Sequence, residues 1–509
     1  MKLALSLPGP FRLDVSLGLA FLLMLLQLLT GTSLEFAELT FLATVCSILA
    51  VNFAGGLKTV AGACIAIIAV KIFLVAEFAK VLFREPGQYR LQEPIITMGV
   101  MALSMAALAF AALVCVPFHP KLRILPRTTD PNSLRVIAIL SFVIGTGSFF
   151  AAQILGINDE GAVYLGGGSG ILRRVSACAP LAIIAGTAHA LVTSDGKRIF
   201  GLYNALPFCA QFLIGVLFTS KQAMLEPFFY LALTATAFRF AWRWLHLVGG
   251  ILVLVLTLFV LFPFGQVTRN YTRGANLRET YRKTVDFFAE NVRRPHFLVE
   301  QYQEYTEGVE EGDADRYFNK PNGFLERMAL IKPADSLIAA TLSKGTSGWD
   351  TIGPGLEDLV PRKLLPRPYV NVPNNLGNKA DVLTDDDFNT CVSFGFAADA
   401  FSSFGWTGVA VISFGIGILL IVVTRALVDG IEHNIWALVL VGAYQIGIAE
   451  APVGGVLQGI LYQNAWTVAA LLAIRFLAFF SNRYNRRIAL KALYDAFTAR
   501  STSRRQLVG

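Results

Sequence analysis

The chain predicts an all-α polytopic membrane protein, about twelve transmembrane helices with one large extracytoplasmic loop. Three observations carry this. Hydrophobic residues are 55% of the 509 and charged residues 15%, with a mean hydropathy of +0.57. Apolar runs recur that are long enough to cross a hydrocarbon core of about 30 Å as helices. Only Gly265–Phe396 breaks the succession, with mixed charges and frequent prolines.

In order, the spans fall at about 13–31, 34–54, 57–82, 94–117, 135–156, 176–194, 199–219, 223–241 and 245–264, then 397–424, 434–451 and 456–480. This divides the chain into a nine-span block (1–264), the large loop (265–396), a three-span block (397–480) and a basic tail (481–509). No cleavable leader is evident, so the first run is expected to stay as an anchor. Glu35 and Glu38 lie near a span end, where acids reach the interface. Lys71 and Glu77 are expected to pair or to face a neighbouring helix.

Lysine and arginine set the orientation. With the N-terminus inside, the inside segments hold 19 of them and the short outside loops 5 (Arg84, Arg90, Arg173, Arg174, Lys221). Both termini are then cytoplasmic and the large loop is outside. The basic tail accounts for much of the +8 net charge and suits membrane lipids, so nucleic acid is not needed as a partner. Cys46, Cys64, Cys115, Cys178 and Cys209 sit in apolar runs and Cys391 stands alone, which is no disulfide framework. No repeat of Gly/Pro-broken helices marks a secondary transporter.

Within the loop, residues 277–305 have helical periodicity. The stretch 323–342 reads as two short helices broken at Pro333, with Asp335 capping the second. Pro361, Pro366, Pro368 and Pro373 make the next stretch extended and turning. The loop holds 16 basic and 19 acidic residues, so its arginines are not there for bulk charge. Arg327, Arg362 and Arg367 lie in its second half, and Arg173, Arg174 and Lys221 lie at outer span ends. A guanidinium fork matches phosphate oxygens in pairs, so these cations suit a lipid diphosphate. For Arg173, Arg174 and Lys221 the alternative is anchoring to phospholipid headgroups. Base candidates outside are His296, Asp399 and the acids at 385–387. His296 is otherwise a structural histidine, and Asp399 otherwise a cap for the helix it opens. The acidic runs 313–315 and 385–387 read as solvated turns, so neither a metal nor another cofactor is expected.

Three pieces resemble the bacterial oligosaccharide repeat-unit polymerases, the O-antigen polymerase (Wzy-like) family. They are SKQAML at 220–225, FLERMALI at 324–331 followed by DLVPRKLLPRP at 358–368, and ADAFSSFGWTGV at 398–409. Two positions depart from the family pattern: Lys221 where Arg is common, and Asp399 where Glu is common. The resemblance implies a GT-C-like membrane glycosyltransferase of the bacterial inner membrane. It would join undecaprenyl-diphosphate-linked repeat units at the outer face, alongside a flippase and a chain-length regulator. Arg327, Arg362, Asp399 and His296 would be catalytic, and Arg367, Lys221, Arg173 and Arg174 would hold diphosphate. The rival readings are an O-antigen ligase using the same donor or another lipid-linked-sugar glycosyltransferase, and a polysaccharide transporter or flippase.

Overall fold

The computed structural model describes residues 2–4, 6–155, 175–257, 277–291, 316–319, 325–357, 359–360, 370–383 and 392–481, with a few single positions excepted or added. The described chain is mostly helical. Helices α1 (Leu13–Leu29), α2 (Leu34–Ala54), α3 (Val60–Phe83), α4 (Pro94–Val114) and α5 (Pro131–Leu155) come first. They are followed by α6 (Ala179–Thr193), α7 (Leu202–Leu217), α8 (Lys221–Ala237) and α9 (Trp244–Leu256). A three-residue ribbon pairs β1 (Lys2–Ala4) with β2 (Ala241–Arg243), antiparallel.

In the loop, α10 (Leu277–Asn291), α11 (Leu325–Met328), α12 (Ile331–Lys344), α13 (Ile352–Glu357) and α14 (Val372–Lys379) form. Then come α15 (Gly395–Leu427), α16 (Ile435–Glu450) and α17 (Val453–Ser481). Among the described residues six helices are long and apolar enough to cross a membrane: α2, α3, α4, the 131–154 part of α5, α15 and α17. The other predicted spans fall on shorter helices. The chain is thus a helical membrane protein.

Helix α4 packs between α2 and α15, and α16 packs on both α3 and α6, tying the two halves of the bundle together. The core between them is apolar and closely filled, with Phe36, Ile65, Met98, Met101 and Trp436 fully buried. Small residues let backbones approach: a Cβ on Gly355 of α13 would sit 2.3 Å from the Cα of Gly454 in α17.

Two sequence expectations for the loop are corrected. Pro333 does not break a helix, because it lies in the first turn of α12, where a missing N–H costs nothing. Pro373 likewise starts α14 rather than extending an irregular stretch.

The two ends of the bundle differ in how their backbone groups are satisfied. At one end, Arg425 near the close of α15 donates to carbonyls at the ends of two other helices. These are Cys115 at 2.5 Å and Phe118 at 3.1 Å after α4, and Ala54 at 3.4 Å in α2. Beside it, Lys58 and Arg239 pair with Glu432, and Arg127 with Asp429. Basic side chains at helix C-termini complement the dipole and satisfy orphan carbonyls. That end is closed. The described loop helices cover the opposite end.

Candidate polar site at the loop end

Asp335 shows how the loop is held. It does not cap its own helix, as the sequence suggested, but sits inside α12, buried. There it accepts from the backbone N–H of Gln92 (2.6 Å) and Glu93 (2.9 Å) and from the Thr97 hydroxyl (2.9 Å). These donors belong to the start of α4, whose own N-cap, Glu93, makes no side-chain cap. The loop therefore supplies the cap from elsewhere in the chain. Burial raises the Asp335 carboxyl above its ordinary range, while those hydrogen bonds pull it back.

A second attachment is made by Tyr317. Its hydroxyl lies 2.7 Å from Glu77 Oε1 and 2.6 Å from the Gly87 carbonyl, and Gln27 donates to the other Glu77 oxygen at 2.9 Å. Lys80, fully buried, pairs with Glu85 at 2.8 Å and lies 4.3 Å from the centre of the Tyr317 ring. Glu326 accepts from the N–H groups of Tyr317 and Phe318 at 3.0 and 3.1 Å, and its carboxyl is raised by burial. Every charge in this patch is hydrogen-bonded, which is what burial of a charge demands.

The third cluster gathers around Asp399. It too lies inside its helix, α15, fully buried. Its Oδ2 accepts from Val453 N at 2.8 Å, the first residue of α17, whose N-cap is Pro452 and has no side-chain acceptor. Asp399 therefore caps a different helix from the one expected. Five residues on, α15 kinks at Phe404 and Gly405, the latter at φ 62° and ψ −148°. That conformation is essentially open to glycine alone. The kink frees carbonyls, and Ser347 N and Gly348 N from the loop bond to those of Ser402 and Ser403 at 2.8 and 3.0 Å. Lys379 closes the cluster, donating to Ser347 Oγ (2.6 Å), Ser402 Oγ (2.9 Å) and the Gly345 carbonyl (2.9 Å). Burial lowers the Lys379 ammonium below its ordinary value, and the nearby Asp399 opposes this.

The fourth element is an ion pair between bundle helices. Lys71 Nζ lies 2.5 Å from Glu450 Oε1, joining α3 to the last residue of α16. Lys71 sits in a π-turn, Val70–Leu74, and its carbonyl receives the N–H of Leu330 from the loop at 3.4 Å. The expectation that Lys71 and Glu77 pair or face neighbours resolves to different partners for each. Nearby, Asn464 donates to the Tyr444 hydroxyl beside a second π-turn, Gln458–Gln463. Against the C-terminal part of α3 lies an apolar groove of about 390 Å³, lined by Leu23, Leu74, Phe78, Leu82, Phe83 and Leu325, with exposed Arg84 following at once.

The predicted site residues are distributed unevenly over this geometry. Asp399 is in the cluster, but as a buried cap. His296 is exposed. Arg327 lies in α11 and Lys221 opens α8 after the Ser220 cap, their side chains outside what is described. Arg173, Arg174, Arg362 and Arg367 lie outside the described residues, as do the acids at 313–315 and 385–387. Sequence reasoning misses Glu450 and Lys379. Glu450 carries one legible signal, an acid at the close of an apolar run just before Ala451-Pro452. Lys379 carries none, since its neighbours come together only through the fold.

These features define a helical membrane protein with buried polar clusters where the loop helices meet the bundle. No protein-family model matches this chain, and no curated protein or solved structure is significantly similar to it.

Proposed function

We propose that this chain is a membrane glycosyltransferase, a polysaccharide polymerase that joins undecaprenyl-diphosphate-linked repeat units at the outer face of a bacterial inner membrane. The carrying observation is the asymmetry of the bundle. Titratable groups meet at the loop end of the bundle: Asp399, Lys71 and Glu450 on the bundle helices, with Lys379 of the loop helix α14 packed on the Asp399 cluster. The opposite end is tied shut by Arg425 and its neighbouring ion pairs. A transporter needs a polar path reaching both faces; an enzyme serving one face needs only this. The groove along α3 suits part of a prenyl chain, and Arg84 beside it suits the attached phosphate. Arg327, Arg362 and Arg367, with Lys221, Arg173 and Arg174, are the cations assigned to the two diphosphates. Transfer from such a donor needs charge stabilisation on the leaving diphosphate and a base at the acceptor hydroxyl.

The test is the glycan length profile of a strain lacking this gene, complemented by wild type or by Arg362→Ala. Single repeat units accumulating without the gene, with a ladder restored only by wild type, support polymerisation. Full-length polymer trapped on its lipid carrier would mean a ligase. Units retained at the cytoplasmic face would mean transport, and the proposal would fall.

A further inference from the structure

Three acids on the bundle helices near the loop contacts, Asp399, Glu77 and Glu450, are not alike. Asp399 and Glu77 are fully buried, one capping Val453 N and the other held between Tyr317 and Gln27. Glu450 is different: its side chain is 30% exposed and that of its partner Lys71 15%. Glu450 is also placed where a structural carboxylate is disfavoured, on the last residue of α16, at the negative end of the helix dipole. An ionisable pair among apolar helices is costly, so a named pair there is a functional-site candidate. Both helices that flank it, α3 and α17, carry π-turns, a distortion frequent at functional positions. The loop reaches the same place through Leu330 N on the Lys71 carbonyl, and the corner 451–453 joins Glu450 to the Asp399 cap.

We propose that Glu450 is the general base of the transfer, with Lys71 as the positioning residue that aims its carboxylate. This rests on the glycosyltransferase reading above. The acceptor sugar hydroxyl gives its proton to a Glu450 carboxylate oxygen as its own oxygen bonds to the anomeric carbon. The bond from that carbon to the diphosphate oxygen breaks, and its electron pair leaves on the lipid diphosphate. Asp399 and Lys379 then shape the floor of the site and take no proton.

The experiment uses the full-length protein in lipid nanodiscs and, as probe, the lipid-linked repeat units extracted from the strain lacking the gene. Glu450→Gln keeps the shape and removes the base. Turnover should fall by about 10²-fold or more with KM for the lipid-linked unit unchanged, and the residual rate should lose the fall on the acid side of the pH profile. Glu450→Asp should keep a fraction of the activity, Lys71→Arg most of it, and Lys71→Met little. A Glu450→Gln rate within threefold of wild type, or one that keeps the wild-type acid limb, overturns the proposal while leaving the polymerase reading intact. If Glu450→Gln does not accumulate, Glu450→Asp decides, and full wild-type turnover there overturns it. Wild-type protein that makes no polymer from these units removes the polymerase reading and the base together.

Discussion

Removing the Asp335 carboxylate should release the loop from the bundle. Asp335→Ala leaves the N–H groups of Gln92 and Glu93 and the Thr97 hydroxyl without their acceptor in a buried setting. Taking ~1.5 kcal/mol for each of the two backbone groups gives a loss of about 3 kcal/mol. Asp335→Asn keeps an oxygen for Glu93 and Thr97 but turns an amide toward Gln92 N, a loss of ~1–2 kcal/mol. The assay is limited trypsin digestion at Lys344, the last residue of α12 and exposed at the loop surface. When opening is fast relative to cleavage, the rate tracks the open population, so Asp335→Ala should raise it about 10²-fold and Asp335→Asn about tenfold. The pH dependence has a definite sign. Burial raises this carboxyl, so the folded state favours its protonated form. Its contribution is full below the unfolded value of about 3.9 and is lost as pH rises through the folded value. The melting-temperature advantage of wild type over Asp335→Asn should therefore be largest at acid pH and narrow toward neutrality. A cleavage rate in Asp335→Ala within threefold of wild type would refute the idea that this acid docks the loop.

Two further outcomes follow from the same geometry. Gly405→Ala meets no atom within 4 Å, so its cost is conformational alone. It should lower stability by about 1–3 kcal/mol, and a melting temperature equal to wild type would mean the kink at φ 62° carries no strain. Lys379, lowered by burial, should be acylated by an amine-reactive reagent with a midpoint pH below the ordinary lysine value of about 10.4. Peptide mass spectrometry across a pH series reads this, and a midpoint at or above that value contradicts it.

What could be read without the fold was the part governed by local composition. Among the described residues each predicted span falls on a helix, six of them long and apolar enough to cross a membrane, because an apolar run in lipid must satisfy its backbone within itself. Leu277–Asn291 was legible as a helix from its periodicity for a similar reason. The acids were not legible. Asp335 and Asp399 were each read as caps for the helices on which they stand, since sequence shows only near neighbours. In the structure Asp335 caps a helix start 242 residues away at Glu93, and Asp399 one 54 residues away at Val453. Both recipient helices begin at positions with no usable side-chain acceptor, Glu93-Pro94 and Pro452-Val453, so an acceptor had to come from elsewhere. Glu450 and Lys71 lie 379 positions apart. Their pairing depends on α16 packing against α3, which hydropathy does not encode. The sequence by itself determined a bundle of apolar helices with one polar loop, because burial in lipid is decided run by run. Only the tertiary structure decided which acids are buried caps and which is partly exposed, because a charge among apolar helices is defined by the partner that folding brings to it.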